Sequence, residues 1–150
     1  MSHQIKIQAE KLYKKYLKRI IKLVGNKTTY DKKLIKIGNK LFGKKFRGVF
    51  PSDLIPKINN GEFFIANLDT SYEQGSHWIG VVKDKKGLLI YDSFGRKSKT
   101  IIPSVYKLYR KVIDTEYDKE QKIKESNCGA RSLSFLMVYY KKGFNYAKYI

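Results

Sequence analysis

The sequence predicts an α+β fold in a single domain, and three observations carry this prediction. The chain has 150 residues, of which 42% are hydrophobic, and this is enough to bury one core. Apolar residues recur at helical spacing over 4–24 and over 126–143. Between these segments, over 62–93, short apolar runs alternate with turn residues, which is typical of strands. We therefore expect helices packed on a small mixed or antiparallel sheet.

The first predicted helix is basic and amphipathic. Its apolar stripe consists of Ile5, Ala9, Leu12, Tyr16, Ile20 and Leu23. Lysines occupy much of the remaining surface, and Gly25-Asn26 supplies a stop signal. We expect the stripe to dock on the domain; binding to a membrane surface or to a nucleic-acid backbone is the alternative. Residues 1–27 are interpreted as an N-terminal extension and residues 28–150 as the core of the same domain.

Other elements are predicted from local signals. A second helix is expected over 29–41, after two threonines that supply cap oxygens. A further helix is expected over about 103–113. The segment 42–56 is rich in Gly and Pro, and we interpret it as an ordered loop packed by aromatic side chains. The apolar run 62–69 predicts a buried strand.

The charge of the chain is strongly positive. The net charge is +19, and residues 1–60 contain sixteen Lys or Arg against three acids. Such a field attracts nucleic acid or an acidic partner through counterion release. Lysine outnumbers arginine 27 to 5, which is also what an AT-rich genome would encode. Nucleic-acid contact is therefore one of two open interpretations of the charge.

Several classes of protein are excluded by composition. No apolar stretch approaches the eighteen or more residues that span a bilayer, and the N-terminus lacks the apolar run of a secretory signal. We expect a monomer that works in a cytosol-like compartment and is not secreted. Cys128 is the only cysteine, so an internal disulfide and a cysteine metal cluster are excluded. We expect no metal site, and no cofactor is needed for the chemistry suggested below.

The apolar runs on either side of Asp84-Lys85 predict a β-hairpin. If this dipeptide forms the loop, His77 lies opposite Asp92, and opposed residues have Cβ atoms about 5 Å apart. A register shifted by two residues places His77 opposite Phe94 and leaves Asp92 diagonal, still within reach. Either register brings an imidazole and a carboxylate together at the open end of the hairpin. The alternative is an ion pair of no catalytic importance at the surface.

Cys128 lies in the first turn of the last predicted helix, where Ser126 or Asn127 supplies the N-cap. The partial positive charge of a helix N-terminus favours thiolate over thiol, and a nearby imidazolium strengthens this preference. The small residue Gly129 leaves room for a substrate backbone, and the Cys128 amide is free to donate to a developing oxyanion. The alternative is that Cys128 is a small buried hydrophobe.

Gln121 precedes the cysteine by seven residues. Its side-chain amide is a candidate for the second oxyanion donor. A glutamine in so polar a run is more often a solvated loop residue, so its assignment depends on its neighbours in the completed site.

The order His77, Asp92, Gln121, Cys128 resembles that of the adenovirus-type (adenain-like) maturation proteases and of the wider Ulp-like cysteine proteases. The motifs that carry the resemblance are His77-Trp78, Tyr91-Asp92-Ser93-Phe94-Gly95, Asn127-Cys128-Gly129 and the upstream segment 42–50. The resemblance covers about residues 30–142. The compact, lysine-rich chain is most similar to the short members encoded by virophages and Polinton-like elements.

This resemblance implies a fold, an activity and a set of roles. The implied fold is a small sheet packed against the helix that carries the nucleophile, with an added N-terminal helix. Cys128 is the implied nucleophile, and His77 is its base and later the acid. Asp92 orients the imidazole, and Gln121 assists the oxyanion hole. The resemblance also implies, as a secondary assignment, that three further residues contact the substrate: Trp78, Asn127 and Gly129.

The resemblance also implies substrates and partners. The family cuts capsid or core precursors, often near Gly, in the virion and the host cytoplasm, and DNA is a candidate activator. A disulfide-linked peptide activator is ruled out if Cys128 is catalytic, because the chain has no second cysteine. Two alternatives stay open. One is a protease that removes ubiquitin-like modifiers after Gly-Gly. The other is a non-catalytic nucleic-acid-binding packaging protein on a protease scaffold.

Overall fold

The computed structural model describes residues 2–25, 31–69, 77–116 and 127–150. The described part of the chain is a mixed α and β fold, in agreement with the predicted class. Its elements in chain order are α1 (Ser2–Val24), α2 (Asp31–Phe42), a 3-10 turn (Gly43–Lys45), β1 (Phe46–Pro51), β2 (Phe63–Asn67), β3 (Trp78–Asp84), β4 (Gly87–Tyr91), α3 (Ser98–Ile101), α4 (Val105–Leu108), β5 (Val112–Asp114), α5 (Cys128–Lys142) and α6 (Phe144–Ala147).

The five strands form one mixed sheet in the order β1-β2-β3-β4-β5. The three central strands β2, β3 and β4 are antiparallel to one another, whereas the edge strands β1 and β5 run parallel to β2 and β4, respectively. The predicted sheet around 62–93 corresponds to the three central strands. The parallel edge strands extend it on both sides.

The prediction of a loop over 42–56 is wrong in part, because this segment contains β1. The glycine that suggested a loop is Gly48, which has φ 120° and lies where the register with β2 shifts. A positive φ is inexpensive only for glycine, so the residue allows an irregular strand to continue after the shift. Pairing with the fully buried strand β2 satisfies the backbone and overrides the local loop signal.

The prediction of a helix over about 103–113 is also wrong for most of its length. Helix α4 has only four residues, and at Tyr109 the backbone is already in an extended conformation. The Tyr109 hydroxyl donates to the Pro56 carbonyl at 2.9 Å and accepts from the Ile58 amide at 3.0 Å. Beyond this anchor the chain forms β5 beside β4. Long-range pairing therefore outweighs the helical propensity of this short segment.

The two faces of the sheet are both covered. Alternate residues face the α5 side, and these are Phe63, Ile65, Trp78, Val82, Leu89 and Tyr91. The intervening residues pack with α3, α4 and the chain around Ile58, and these are Phe64, Ala66, Ile79, Val81, Leu88 and Ile90. Burial on both faces explains why β2 and β4 are continuous apolar runs rather than alternating ones.

Helix α5 lies across the sheet, chiefly on β3, and α1 packs on α5. The buried residues of α1 are Ala9, Tyr13, Ile20 and Val24. The basic N-terminal helix therefore docks on the rest of the fold, as expected, but its buried stripe differs from the predicted one. Tyr13 and Val24 belong to it, whereas the predicted Leu23 is 46% exposed. Among the described residues, no helix has both the length and the apolar content that crossing a bilayer would require.

Gly80 sets the distance between β3 and α5. A Cβ atom on this residue would lie 2.6 Å from Cδ2 of Phe135. Real Cβ atoms do not approach that closely, so either the ring or the helix would have to move. Because Phe135 also stacks on Tyr91 at 5.0 Å between ring centroids, the ring has little freedom to yield.

We expect Gly80→Ala to lower the free energy of unfolding by about 1–3 kcal/mol, as overpacking does in other cores. Phe135→Ala removes the ring atoms that the new methyl group meets. The double variant should therefore be more stable than the sum of the two single losses predicts. Urea denaturation of the three variants measures this coupling, and strictly additive losses would contradict the proposed clash.

Candidate active site

The hairpin of β3 and β4 has the second of the two predicted registers. Gly80 pairs with Tyr91, and the loop is one residue further along than Asp84-Lys85. The register that places His77 opposite Asp92 is therefore wrong. Continuing the observed register places His77 opposite Phe94, and the two rings stack at 4.8 Å between centroids. Asp92 lies diagonally and is still in contact with the imidazole.

Asp92 is the carboxylate of the site, and it accepts hydrogen bonds from several donors. Its Oδ1 accepts a hydrogen bond from His77 Nε2 at 2.6 Å. Its Oδ2 accepts from Arg96 Nε at 2.8 Å and from the Arg96 amide at 3.1 Å. The amide of Phe94 donates to Oδ1 at 3.3 Å. The turn that follows β4 thus wraps two amides and a guanidinium around a side chain that is 1% exposed.

These contacts decide the charge of both side chains. Burial would raise the pKa of Asp92, but hydrogen bonds and charges from His77 and Arg96 outweigh it and lower the pKa to about 2. Burial would likewise lower the pKa of His77. Hydrogen bonds with Asp92 and Cys128 outweigh it, and the pKa of His77 is raised above 6.5. An ionised carboxylate therefore faces an imidazole that holds its proton readily.

Cys128 completes the group. It is the first residue of α5, it is a free thiol, and it is 3% exposed. Its side chain lies close enough to the imidazole of His77 to help raise the pKa of that ring. Because Nε2 of the ring is engaged by Asp92, Nδ1 is the atom left for the sulfur. The fold thus brings His77 of the hairpin close to Cys128, as the sequence predicts.

The residues beside the cysteine differ from expectation in one respect. Asn127 stands at the N-cap position of α5 but makes no side-chain cap bond. Its Oδ1 instead accepts from Arg131 Nε at 3.0 Å. Gly129 is buried in the first turn of α5. Asn127 therefore occupies one of the two predicted N-cap positions without a capping bond from its side chain, and Ser126, the other candidate, lies outside the described residues.

Trp78 is buried in the core that faces α5. Its Nε1 donates to Asp31 Oδ1 of α2 at 3.0 Å. Its carbonyl accepts from Ser132 Oγ of α5 at 3.1 Å. Trp78 thus ties the strand that follows His77 to two helices. Gln121, the predicted oxyanion donor, lies outside the described residues.

Sequence reasoning missed Arg96, and it named Phe94 only within a motif and as the residue opposite His77 in the shifted register. Arg96 binds Asp92, and its guanidinium also lies over the ring of Phe94 at 5.0 Å. Phe94 in turn stacks on His77, so guanidinium, phenyl and imidazole form three layers. The available signal was an arginine four residues after the aspartate, inside the turn that ends the hairpin. No helical spacing or motif distinguishes it from the other basic residues.

No group of three or more His, Cys, Asp or Glu suited to a metal ion occurs within residues 2–25, 31–69, 77–116 and 127–150. Comparisons of the chain with protein-family models, with curated proteins and with solved structures give no match. The functional assignment of the chain therefore depends on the chemistry of the site.

The lowered pKa of Asp92 predicts an acid-sensitive contribution to stability. Between pH 4 and pH 2 the unfolded carboxyl, with its ordinary pKa of 3.8, binds a proton more readily than the folded one. Its contribution, about 2 kcal/mol, is thus present above pH 4 and lost as the pH falls to 2. We expect the difference in unfolding free energy between the wild type and Asp92→Asn to shrink across this interval. A pH-independent difference in urea titrations would contradict the assignment.

Arg96→Gln removes the guanidinium and should raise the pKa of Asp92 towards 3.8, because one of its two charged partners is lost. The carboxyl carbon shift of Asp92, followed by NMR from pH 6 to pH 2, measures this change. Arg110→Gln is the matched control, since Arg110 is exposed and lies away from the carboxylate. Equal midpoints in the two variants would show that Arg96 does not hold the carboxylate.

Proposed function

We propose that this chain is a cysteine endopeptidase of the adenain-like and Ulp-like type, with Cys128 as nucleophile. The observation that carries the proposal is one connected group. The thiol at the start of α5 lies beside the imidazole of His77 and helps to raise its pKa, and the same imidazole bonds the buried carboxylate of Asp92. A nucleophile, a base and a group that orients the base are the parts that thiol hydrolysis of an amide requires.

The chemistry follows from the atoms that meet. His77 Nδ1 takes the thiol proton, and the resulting imidazolium is stabilised by Asp92 through Nε2–H. The sulfur then attacks the scissile carbonyl carbon, and the carbonyl π electrons move to oxygen. When the tetrahedral species collapses, the C–N bond breaks and the imidazolium gives its proton to the leaving amine. The product is a thioester on Cys128.

Hydrolysis restores the enzyme. Neutral His77 takes a proton from water, the hydroxide oxygen attacks the thioester carbon, and the C–S bond breaks with release of the acid. In both halves the oxyanion needs donors. The amide of Cys128 at the start of α5 has no acceptor within its own helix, so it is a suitable donor. Gln121 is proposed as the second donor, on the resemblance alone.

The arrangement of the elements supports the family assignment. His77 precedes β3, Asp92 follows β4, and Cys128 begins a helix that lies across those strands. This is the small sheet and nucleophile helix that the resemblance implies, with α1 added on the outer side of α5. The finer proposal, a fold of the adenain-like type over a single domain, rests on this correspondence.

A polypeptide is the proposed substrate, by resemblance a capsid or core precursor cut near Gly and processed in the virion or host cytoplasm. Trp78 has a structural role in this account, whereas Gly129 and Asn127 stay close to the scissile bond. The enzyme is proposed to act as a monomer without a cofactor. DNA is proposed as a partner, because residues 1–60 carry sixteen basic side chains against three acids.

Alkylation by iodoacetamide between pH 5 and pH 9, followed by intact mass, tests the thiol–imidazole pair. The chain has one cysteine, so every adduct is assigned. We expect rapid modification near pH 6, and a rate there that falls roughly 10-fold or more in His77→Gln, because the imidazolium no longer holds the thiolate. His3→Gln is the matched control, since His3 is the only other histidine and is exposed on α1.

Three results separate the candidate functions. Hydrolysis of peptides with Gly near the cut, lost in Cys128→Ala, would support the proposed protease. Preference for a ubiquitin-like fusion ending in Gly-Gly would indicate a modifier-removing protease. Modification that rises only near the free-thiol pKa of about 8.5, with and without DNA, together with salt-sensitive DNA binding, would overturn the proposal in favour of a non-catalytic scaffold.

A further inference from the structure

We infer that Tyr13 of α1 is a positioning residue for the proposed active site, because its hydroxyl joins the chain segment beside Asp92 to the one beside Cys128. The inference rests on the proposed function for its catalytic meaning and on hydrogen-bond geometry for its physical content. Tyr13 acts through Tyr91 and through Arg131.

The first branch leads to the base-orienting carboxylate. The hydroxyls of Tyr13 and Tyr91 lie 2.7 Å apart, and both residues are buried. Their rings also meet edge to face, with centroids 6.0 Å apart. Tyr91 is the last residue of β4, and Asp92 follows it directly. The hydroxyl pair therefore fixes the end of the strand from which the carboxylate projects.

The second branch leads to the nucleophile. Arg131 Nη1 donates to the Tyr13 hydroxyl at 3.2 Å, and Arg131 Nε donates to Asn127 Oδ1 at 3.0 Å. The Asn127 carbonyl also accepts from the Arg131 amide at 3.0 Å. Asn127 immediately precedes Cys128. Arg131 thus holds the backbone and the side chain of the residue at which the chain enters α5.

The base is placed by a third link that does not pass through α1. Ser132 of α5 donates to the carbonyl of Trp78, the residue after His77. Each of the three proposed catalytic residues therefore has a sequence neighbour tied to α5 or α1. Two of the three ties meet at the single hydroxyl of Tyr13. Displacement of reacting groups by about 1 Å can cost roughly 10²-fold in rate, so such ties have catalytic weight.

Tyr13→Phe tests the inference, because it keeps the ring and deletes the oxygen that both branches share. The primary measurement is the NMR titration of the His77 imidazole. We expect its midpoint to fall by about half a pH unit or more, since contacts with Asp92 and Cys128 raise it and burial opposes them. The alkylation rate at pH 6 should fall roughly 5-fold or more, with the pH profile moving towards that of a free thiol.

Tyr146→Phe is the matched control. The Tyr146 hydroxyl donates to Gln8 Oε1 at 2.8 Å, so this variant also removes a hydroxyl tie to α1, but at an exposed place. A loss of stability common to both variants is structural. Of these two variants, only Tyr13→Phe should move the titration midpoint of His77. The single-branch variants Tyr91→Phe and Arg131→Gln should each show an intermediate shift.

The outcomes separate the two proposals. An unchanged His77 midpoint in Tyr13→Phe would overturn the positioning role, whether or not the wild type hydrolyses peptides. Equal shifts in Tyr13→Phe and Tyr146→Phe would overturn it as well. In a third outcome, the His77 midpoint shifts in Tyr13→Phe, Tyr91→Phe and Arg131→Gln but not in Tyr146→Phe, while the wild type shows neither rapid alkylation nor hydrolysis. That outcome would support the positioning role and refute the proposed function.

Discussion

The burial of α5 on two sides is the constraint on which the rest of this structure depends. The helix lies on β3 with one face and under α1 with the other, so nine of its fifteen residues are buried. Two of those, Ser132 and Ser134, are polar and bond to carbonyl oxygens. The Ser134 bond lies within α5, whereas the Ser132 bond reaches the Trp78 carbonyl of β3, so the helix cannot shift along the sheet without breaking it. Its first residue, Cys128, is therefore held at a fixed place relative to the end of β3.

Electrostatics at the site depend on one buried carboxylate. Asp92 faces two cationic groups, His77 from the hairpin and Arg96 from the following turn. Removing water from a carboxylate is costly unless charge-assisted hydrogen bonds replace it. The turn after β4 provides these bonds from amides and a guanidinium, and the imidazole shares the same oxygens. In a chain of net charge +19, this local balance allows one acid to remain ionised at the centre of the site.

The parts of the fold that depend on local sequence could be predicted, and those that depend on distant pairing could not. The end of α5 at Gly143 and the docking of α1 follow from punctuation and periodicity, and both are observed, although Tyr13 and not Leu23 belongs to the buried stripe of α1. Strands β1 and β5 were missed because their pairing partners lie elsewhere in the chain. The hairpin register was ambiguous because two neighbouring dipeptides offer similar turns. The pairing of Gly80 with Tyr91 and the stacking of Phe94 on His77 distinguish the two registers.

The site shows the same division. A cysteine in the first turn of a helix and a histidine beside a strand are recognisable from their neighbours in sequence. The bond between Tyr13 and Tyr91 joins residues that are 78 positions apart in the chain. The bond between Arg131 and Tyr13 joins residues that are 118 positions apart. Nothing in the sequence around any of these three residues marks the others as partners. Such links become visible only when α1, β4 and α5 are packed together.

The distance along the chain between α1 and α5 has a consequence during translation. Arg131 reaches back 118 residues to Tyr13, so α1 leaves the ribosome long before the helix that it covers has been made. Contacts between such distant segments form late in folding. The nascent chain therefore emerges with its hairpin and first helix but without an assembled thiol–imidazole pair. If the proposed chemistry holds, the reactive centre matures only after α5 has emerged, which delays any attack on other polypeptides made nearby.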